Sequence, residues 1–202
     1  MDKRRSGSKG VPRAERESQI LDAARYEFGT RGYALVHVAD VAARAGISKP
    51  LVYEYFGSKE GLHAAACALA GARIVDGIAT AMTSWADEPI DRGIAVLRAV
   101  FAALADRPHD WNVVFDSSLP RGSDVLETAK TFRRRLVGQA AHGIGSSYGA
   151  ALSDPLDLSA LVRMWTATVG ALVDWWLQYP ETTPDEMAAR TERILRALQS
   201  PG

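Results

Sequence analysis

The sequence predicts an all-α protein, a small three-helix module followed by a larger helical bundle, and three observations carry that prediction. Ala, Leu, Arg and Glu recur at three- and four-residue spacing through most of the chain. Alternating β-branched runs joined by Asn-Gly or Asp-Gly turns are missing. Pro89, Pro108, Pro120, Pro155 and Pro180 stand between the periodic segments, where a residue without an N–H interrupts a helix. With 202 residues, 47% of them apolar, the chain can bury a core and is too apolar to stay disordered.

The elements follow in order. Residues 1–12 hold Ser6, Gly7, Ser8, Gly10 and Pro12 and almost nothing apolar, which reads as a flexible arm. A first helix is expected over 13–30, with Ile20, Leu21, Ala24 and Phe28 as its apolar stripe and Gly29 and Gly32 ending it. A short helix over 37–45 turns Val38, Val41, Ala42 and Ala45 inward and stops at Gly46. Ser48 is placed to cap a third helix through Tyr55, with Pro50 tolerated in its first turn. Ser58 is placed to cap a fourth, reaching towards Trp85. Beyond it the pattern gives bundle helices over 90–106, 108–118, 122–147, 157–179 and 184–199.

Charge narrows the reading further. Lys and Arg number 24, as do Asp and Glu, so the net charge of zero says nothing about partners. The distribution does: residues 1–60 carry 11 basic and 8 acidic side chains, and residues 1–16 alone carry six and two. A basic arm ahead of a neutral body suits either a polyanion or a solubilising tail. Cys67 is the lone cysteine, which excludes an intramolecular disulfide framework and a cysteine-built metal site. The start of the chain has no apolar stretch, so no secretory signal is expected. The longest uncharged run, Leu136 to Ser153, is diluted by Gly, Ser, His and Gln, so no membrane span is expected either. A cytoplasmic location is the expectation that follows.

Residues 37–59 read HVADVAARAGISKPLVYEYFGSK. Ala42, Gly46 and Val52 fall where a helix-turn-helix needs a small residue at the crossing, a turn residue tolerant of positive φ, and a branched residue to lock the second helix. Tyr53, Tyr55, Phe56, Gly57 and a helix start bearing Lys59 follow. Free N–H groups and the macrodipole at that start suit a phosphate. Either tyrosine alone also fits an ordinary half-buried helix position.

The run from the GY that ends the first helix through V-A-D-V-A-x-x-A-G-I-S-K-P-L-V-Y-x-Y-F-G-S-K-E-G-L resembles the N-terminal domain of the TetR family of bacterial transcription regulators, over about residues 13–62. The resemblance implies a DNA-binding domain over 13–60 and an effector-binding and dimerisation domain over 61–202, preceded by the arm. It implies that Ser48, Lys49, Pro50 and Leu51 face base edges. Tyr53, Tyr55 and Lys59 would contact phosphates, and His37 joins the DNA-binding set. Three departures stand out. Val36-His37 replaces a frequent Thr-Thr, so the second helix needs another cap. Ala39 replaces a frequent basic residue, and Glu54 is acidic on the reading helix. The partner implied is double-stranded DNA carrying a near-palindromic operator, bound by a homodimer. The basic arm, Lys3, Arg4, Arg5 and Lys9, would add phosphate or minor-groove contacts. The alternative, favoured by Ala39 and Glu54, is a ligand-binding or interaction protein on the same scaffold without operator binding.

In residues 157–179, Leu158, Val162, Trp165, Val169, Leu172 and Trp176 form one stripe, and small residues lie opposite. With the last helix, the resemblance implies a dimer interface of Ala160, Ala167, Gly170, Ala171, Trp175, Met187, Thr191, Ile194 and Leu198; the alternative is that both helices form the core of a monomer. Trp111 and Phe115 sit four apart. A pocket of Trp111, Phe115, Phe132, Trp165 and Val169 would hold an aromatic or lipophilic effector, with His109, Asp116 or Arg121 as polar anchor. The same aromatics would serve equally as core. The expected regulator is a repressor released by that effector.

No enzyme signature fits the pattern. Gly145-Ser146-Ser147-Tyr148-Gly149 matches G-x-S-x-G, but no strand precedes it and no histidine follows it. His37, His63, His109 and His142 lack the spacing of a zinc site. No catalytic residue, metal or cofactor is expected.

Overall fold

The computed structural model describes residues 11–83 and 88–199. The basic-arm residues Lys3, Arg4, Arg5 and Lys9 lie outside this range, as does Trp85. Among the described residues there are nine helices and no strand: α1 (Arg13–Arg31), α2 (Val38–Arg44), α3 (Lys49–Phe56), α4 (Lys59–Ala81), α5 (Pro89–Leu104), α6 (Asp110–Phe115), α7 (Asp124–Tyr148), α8 (Pro155–Leu177) and α9 (Pro184–Gln199).

Helix α4 is the spine. Ala66, Cys67, Ala70 and Ile74 along it are fully buried, and it packs against α1, α5, α6 and α7. Around it α9 lies on α5 and α8 on α7. Small residues set the close approaches. A Cβ at Gly71 would lie 2.4 Å from the Phe132 ring, so glycine lets α7 press its aromatic against the spine. Trp165 of α8 rests over Gly93 of α5, and Trp176 meets Phe101 edge-on at 5.5 Å.

Several boundaries differ from the sequence reading. Gly29 does not end α1 but lies inside it, where a Cβ would stand 2.3 Å from the carbonyl oxygen of His109. The terminating residue is Gly32, with φ 78°. Helix α6 is six residues rather than eleven. Arg133 of α7 donates to the carbonyls of Val114 and Asp116 at 2.8 and 2.9 Å, taking up acceptors that a longer helix would have bonded itself. Ser48 precedes α3 in extended conformation, yet its side chain makes no capping hydrogen bond, whereas the Ser58 hydroxyl accepts from Gly61 N–H at 3.0 Å. Helices α4 and α8 are each long and apolar enough to cross a membrane by length and composition, which the uncharged-run argument did not bring out. Burial within the bundle accounts for α4; α8 leaves an apolar face exposed.

Candidate nucleic-acid interface and ligand cavity

The α2–α3 pair is built as its spacing requires. Ala42 and Val52 are buried at the crossing, and Gly46 turns the chain at φ 67°, a left-handed conformation that a side chain would strain. The Ile47 N–H closes the turn on the Ala42 carbonyl at 3.0 Å. With Val52 inward, Ser48, Lys49, Pro50 and Glu54 are exposed, Tyr53 is 39% exposed, and Leu51 and Tyr55 are half-buried. Ala39 and His37 are exposed on α2 and at its start. The missing cap of α2 comes from Asp40, whose carboxylate accepts the His37 N–H at 2.8 Å and sits 3.1 Å from the Arg31 guanidinium. That backbone hydrogen bond is the main reason the Asp40 carboxyl is held below its ordinary range.

Cations gather on the aromatic rings of this module. The Lys49 ammonium lies 5.7 Å from the Tyr53 ring centre and the Arg13 guanidinium 5.1 Å from that of Tyr55. Arg44 stacks 3.6 Å over Tyr26 and donates to Glu27 at 2.6 Å. Lys59 is less outward than its position suggests. It is half-buried with its ammonium 4.2 Å from the Tyr33 ring centre, and burial pulls its pKa below the ordinary value. Burial and the hydrogen bond to Glu60, 2.9 Å from the phenol oxygen, push Tyr33 up to about 12.

One junction ties this module to the bundle. Arg25 of α1 and Asp110 of α6, 3% and 2% exposed, form a two-pronged ion pair, Nε donating to Oδ1 at 2.8 Å and a terminal nitrogen to Oδ2. Arg107 reaches Asp22 at 2.7 Å, Asn112 donates to the Gly29 carbonyl at 3.0 Å, and the Tyr33 N–H donates to Asp116 at 2.6 Å. His63 of α4 lies beneath, fully buried, edge-on to Phe28 and Tyr33, and neither of its nitrogens has a hydrogen-bond partner. Sequence reasoning missed this junction. Its one visible signal was Arg25 standing on the apolar side of α1.

The other face of α6 fronts a cavity of about 300 Å³. Trp111, Phe115, Trp165 and Val169 line it, as do Ile78, Ile90, Leu136 and Ile144 from α4, α5 and α7. Trp111 and Phe115 stack at 4.2 Å. Phe132, placed in this pocket by the sequence reading, lies instead against Gly71 of the spine; His109, Asp116 and Arg121 do not line it either. The polar groups that do are few and include Arg92, Arg133, Gln139, Ser147 and Thr166. Ser147 sits in the last turn of α7 and accepts from Arg92 at 3.2 Å, far from the strand-to-helix turn of a nucleophile elbow.

Met187 and Thr191 are corrected to the interior of the single chain, 0% and 2% exposed, because α9 turns that stripe onto α5. Ala160, Ala167 and Ala171 are exposed, and Gly170 and Trp175 are half-buried. Around them stand Leu156, Met164, Ile194 and Leu198, at 75%, 65%, 47% and 75% exposure, a large apolar surface for one chain.

The comparisons agree with one another. Residues 20–66 match the family model described as bacterial regulatory proteins, tetR family. The chain is 32% identical over 120 residues to the transcriptional activator FasR of Mycolicibacterium smegmatis, covering 59% of this chain and 54% of that one. It is 32% identical over 132 residues to the transcriptional regulator BetI of Rhizobium meliloti, covering 64% of each. The matched part thus spans between half and two thirds of these relatives' length. A TetR-like regulator from Rhodococcus sp. RHA1 superimposes with TM-score 0.72 at 27% identity, over 93% of this chain and 97% of that one. FadR of Bacillus subtilis, solved with stearoyl-CoA, shares the fold with TM-score 0.69 at 18% identity, over 90% and 96%. Residues 20–66 thus match the helix-turn-helix segment of the tetR family of bacterial regulatory proteins, and the fold over nearly the whole chain is similar to that of a TetR-like regulator.

Proposed function

We propose that the protein is a transcription regulator that reads operator DNA through α3 and releases it when a lipophilic molecule fills the cavity. The observation that carries the reading is the outward face of α3: Ser48, Lys49 and Pro50 stand exposed because Ala42, Gly46 and Val52 fix the opposite face inward. Lys49 and Ser48 offer hydrogen bonds to base edges; Tyr53 and, through its N–H groups, the start of α4 offer them to phosphates. His37, Pro50, Leu51, Tyr55 and Lys59 complete the interface, with Lys59 supplying field more than direct contact, given its seat over Tyr33.

A single reading helix recognises too few base pairs for specificity, so the working unit is a homodimer. The exposed face of α8, with Ala160, Ala167, Gly170, Ala171 and Trp175, and the end of α9, with Ile194 and Leu198, supply its interface. Two α3 helices then enter successive major grooves about 34–36 Å apart. Burial in that dimer, rather than in a bilayer, accounts for the apolar face of α8, and the protein works in the cytoplasm without catalysing a reaction.

Helix α6 connects the sites. Trp111 and Phe115 face the cavity while Asp110 and Asn112 of the same helix hold α1, so a ligand that favours a different α6 position changes the spacing of the two α3 helices. The apolar lining suits a long or flat hydrophobic molecule, in keeping with the acyl ligand of the FadR neighbour. Selection of bound fragments from the source genome tests the reading. It should return a near-palindrome with half-site centres one helical turn apart. Recovery of no sequence above background would favour the alternative, a ligand-binding scaffold in which Ala39 and Glu54 mark a lost DNA function.

A further inference from the structure

Helix α3 turns Val52 into the core, 1% exposed, and this fixes what its opposite side presents. At about 100° per residue, positions 50 and 54 each lie roughly 160° round the helix from Val52. Pro50 and Glu54 therefore form the outermost row of α3, and both are exposed. They stand one turn apart. A long helical side chain lies over the turn N-terminal to its own Cα, which for Glu54 is the turn that carries Pro50. The proline ring has no polar atom, so Glu54 supplies the hydrogen-bonding chemistry of that row.

The carboxylate is uncommitted. Among the described residues no hydrogen bond or ion pair holds Glu54. The cations beside it sit over rings instead, Lys49 over Tyr53 and Arg13 over Tyr55. A carboxylate at the outermost point of a surface that meets DNA is repelled by the phosphates. Being an acceptor only, it has a favourable place solely at a base edge that donates. The major groove offers few. Guanine presents N7 and O6 and thymine O4, acceptors that oppose a carboxylate. Adenine donates from N6 but sets its N7 acceptor alongside. Cytosine donates from N4 with no acceptor next to it on that edge, and suits a carboxylate best.

We propose that Glu54 is a specificity-determining residue, accepting from the N4 amino group of one cytosine in each half-site of the operator. The proposal rests on the reading of α3 as the DNA-reading helix. It makes the acidic residue a filter rather than a sign of lost DNA binding. Phosphate repulsion weakens binding to every sequence, and the cytosine bond offsets it at the correct one.

Selection of bound duplexes from a randomised pool tests it, run with the unmodified protein, Glu54→Ala and Glu54→Gln. The unmodified protein is expected to return a near-palindrome in which one cytosine per half-site is preferred about tenfold over the other bases. E54A should lose the preference at that position alone and bind scrambled duplex more tightly. E54Q should shift the preference towards adenine, whose N6 and N7 match an amide. Identical preferences at every position in the unmodified protein and E54A would overturn the proposal, as would an affinity change spread evenly over all positions. If circular dichroism shows that E54A does not fold, the shift in E54Q, or its absence, decides. If the unmodified protein selects no sequence, the DNA-reading function fails and the proposal with it, an outcome distinct from a selected motif that ignores Glu54.

Discussion

Replacing Asp110 by alanine isolates the junction between the helix-turn-helix module and the bundle. The substitution leaves the Arg25 guanidinium 97% buried, with Asp22 at 3.7 Å as its remaining acid neighbour and two strong hydrogen bonds gone. Breaking a buried pair from one side typically costs about 3–5 kcal/mol, because the cost is that of an uncompensated buried charge rather than of the pair. The presence of Asp22, itself 42% exposed, puts the expectation near the lower end, about 3 kcal/mol. Urea denaturation at fixed protein concentration, followed by far-UV circular dichroism, measures it; the concentration is held because the proposed dimer would contribute to apparent stability. Arg25→Met combined with Asp110→Leu removes both charges, and should recover most of the loss. The double variant should nevertheless respond less to effector, since α6 no longer grips α1 through a directional pair. A loss below about 1 kcal/mol for Asp110→Ala would refute the reasoning, as would a double variant less stable than the single one.

Three further outcomes follow from the same geometry. Gly29→Ala places a methyl 2.3 Å from the His109 carbonyl, so α1 and the α6 entrance must part; a loss of about 1–3 kcal/mol is expected in thermal unfolding, and an unchanged Tm would contradict the packing. His63 is buried among Phe28 and Tyr33, and burial, opposed by Asp116 and aided by Lys59, brings its pKa from 6.5 to about 4. The unfolded chain therefore takes up this proton first: the contribution is complete above about pH 6.5 and is lost as pH falls towards 4, by about 3 kcal/mol in all, and His63→Leu should flatten that part of the pH–stability curve. Gly46→Ala forces a side chain to φ 67° at the turn and should cost about 1–2 kcal/mol while weakening DNA binding; full affinity in that variant would show that the turn does not position α3.

How much of this could be read from the chain depends on the range of each signal. The helix-turn-helix was legible because Ala42, Gly46 and Val52 act within eleven residues, and each type answers one local demand of the crossing, the turn or the lock. Gly29 was misread because glycine both ends helices and admits close neighbours; the neighbour, His109, is 80 residues away and leaves no trace in the local pattern. Met187 and Thr191 carried a correct rhythm, but a stripe states that a face is covered without stating by what, and α5 covers this one. Phe132 shows the same limit among aromatics: its role turned on Gly71 across the helix boundary, which no spacing within α7 can reveal. Arg25 with Asp110, and Gln139 with Val75, are long-range pairs whose partners only the fold identifies.

The central claim is that α3 reads DNA, and fluorescence anisotropy with a labelled duplex recovered by genomic selection tests it most directly. The titration is run against a scrambled duplex across a salt series, with Tyr53→Ala and Lys49→Ala beside the unmodified protein. The account predicts binding to the selected duplex about a thousandfold or more tighter than to the scrambled one near physiological salt. Tyr53→Ala should weaken both complexes alike, as the loss of a phosphate contact does, and Lys49→Ala should erode the discrimination between them. Equal affinity for the two duplexes at every salt concentration, unchanged by Lys49→Ala, would contradict it.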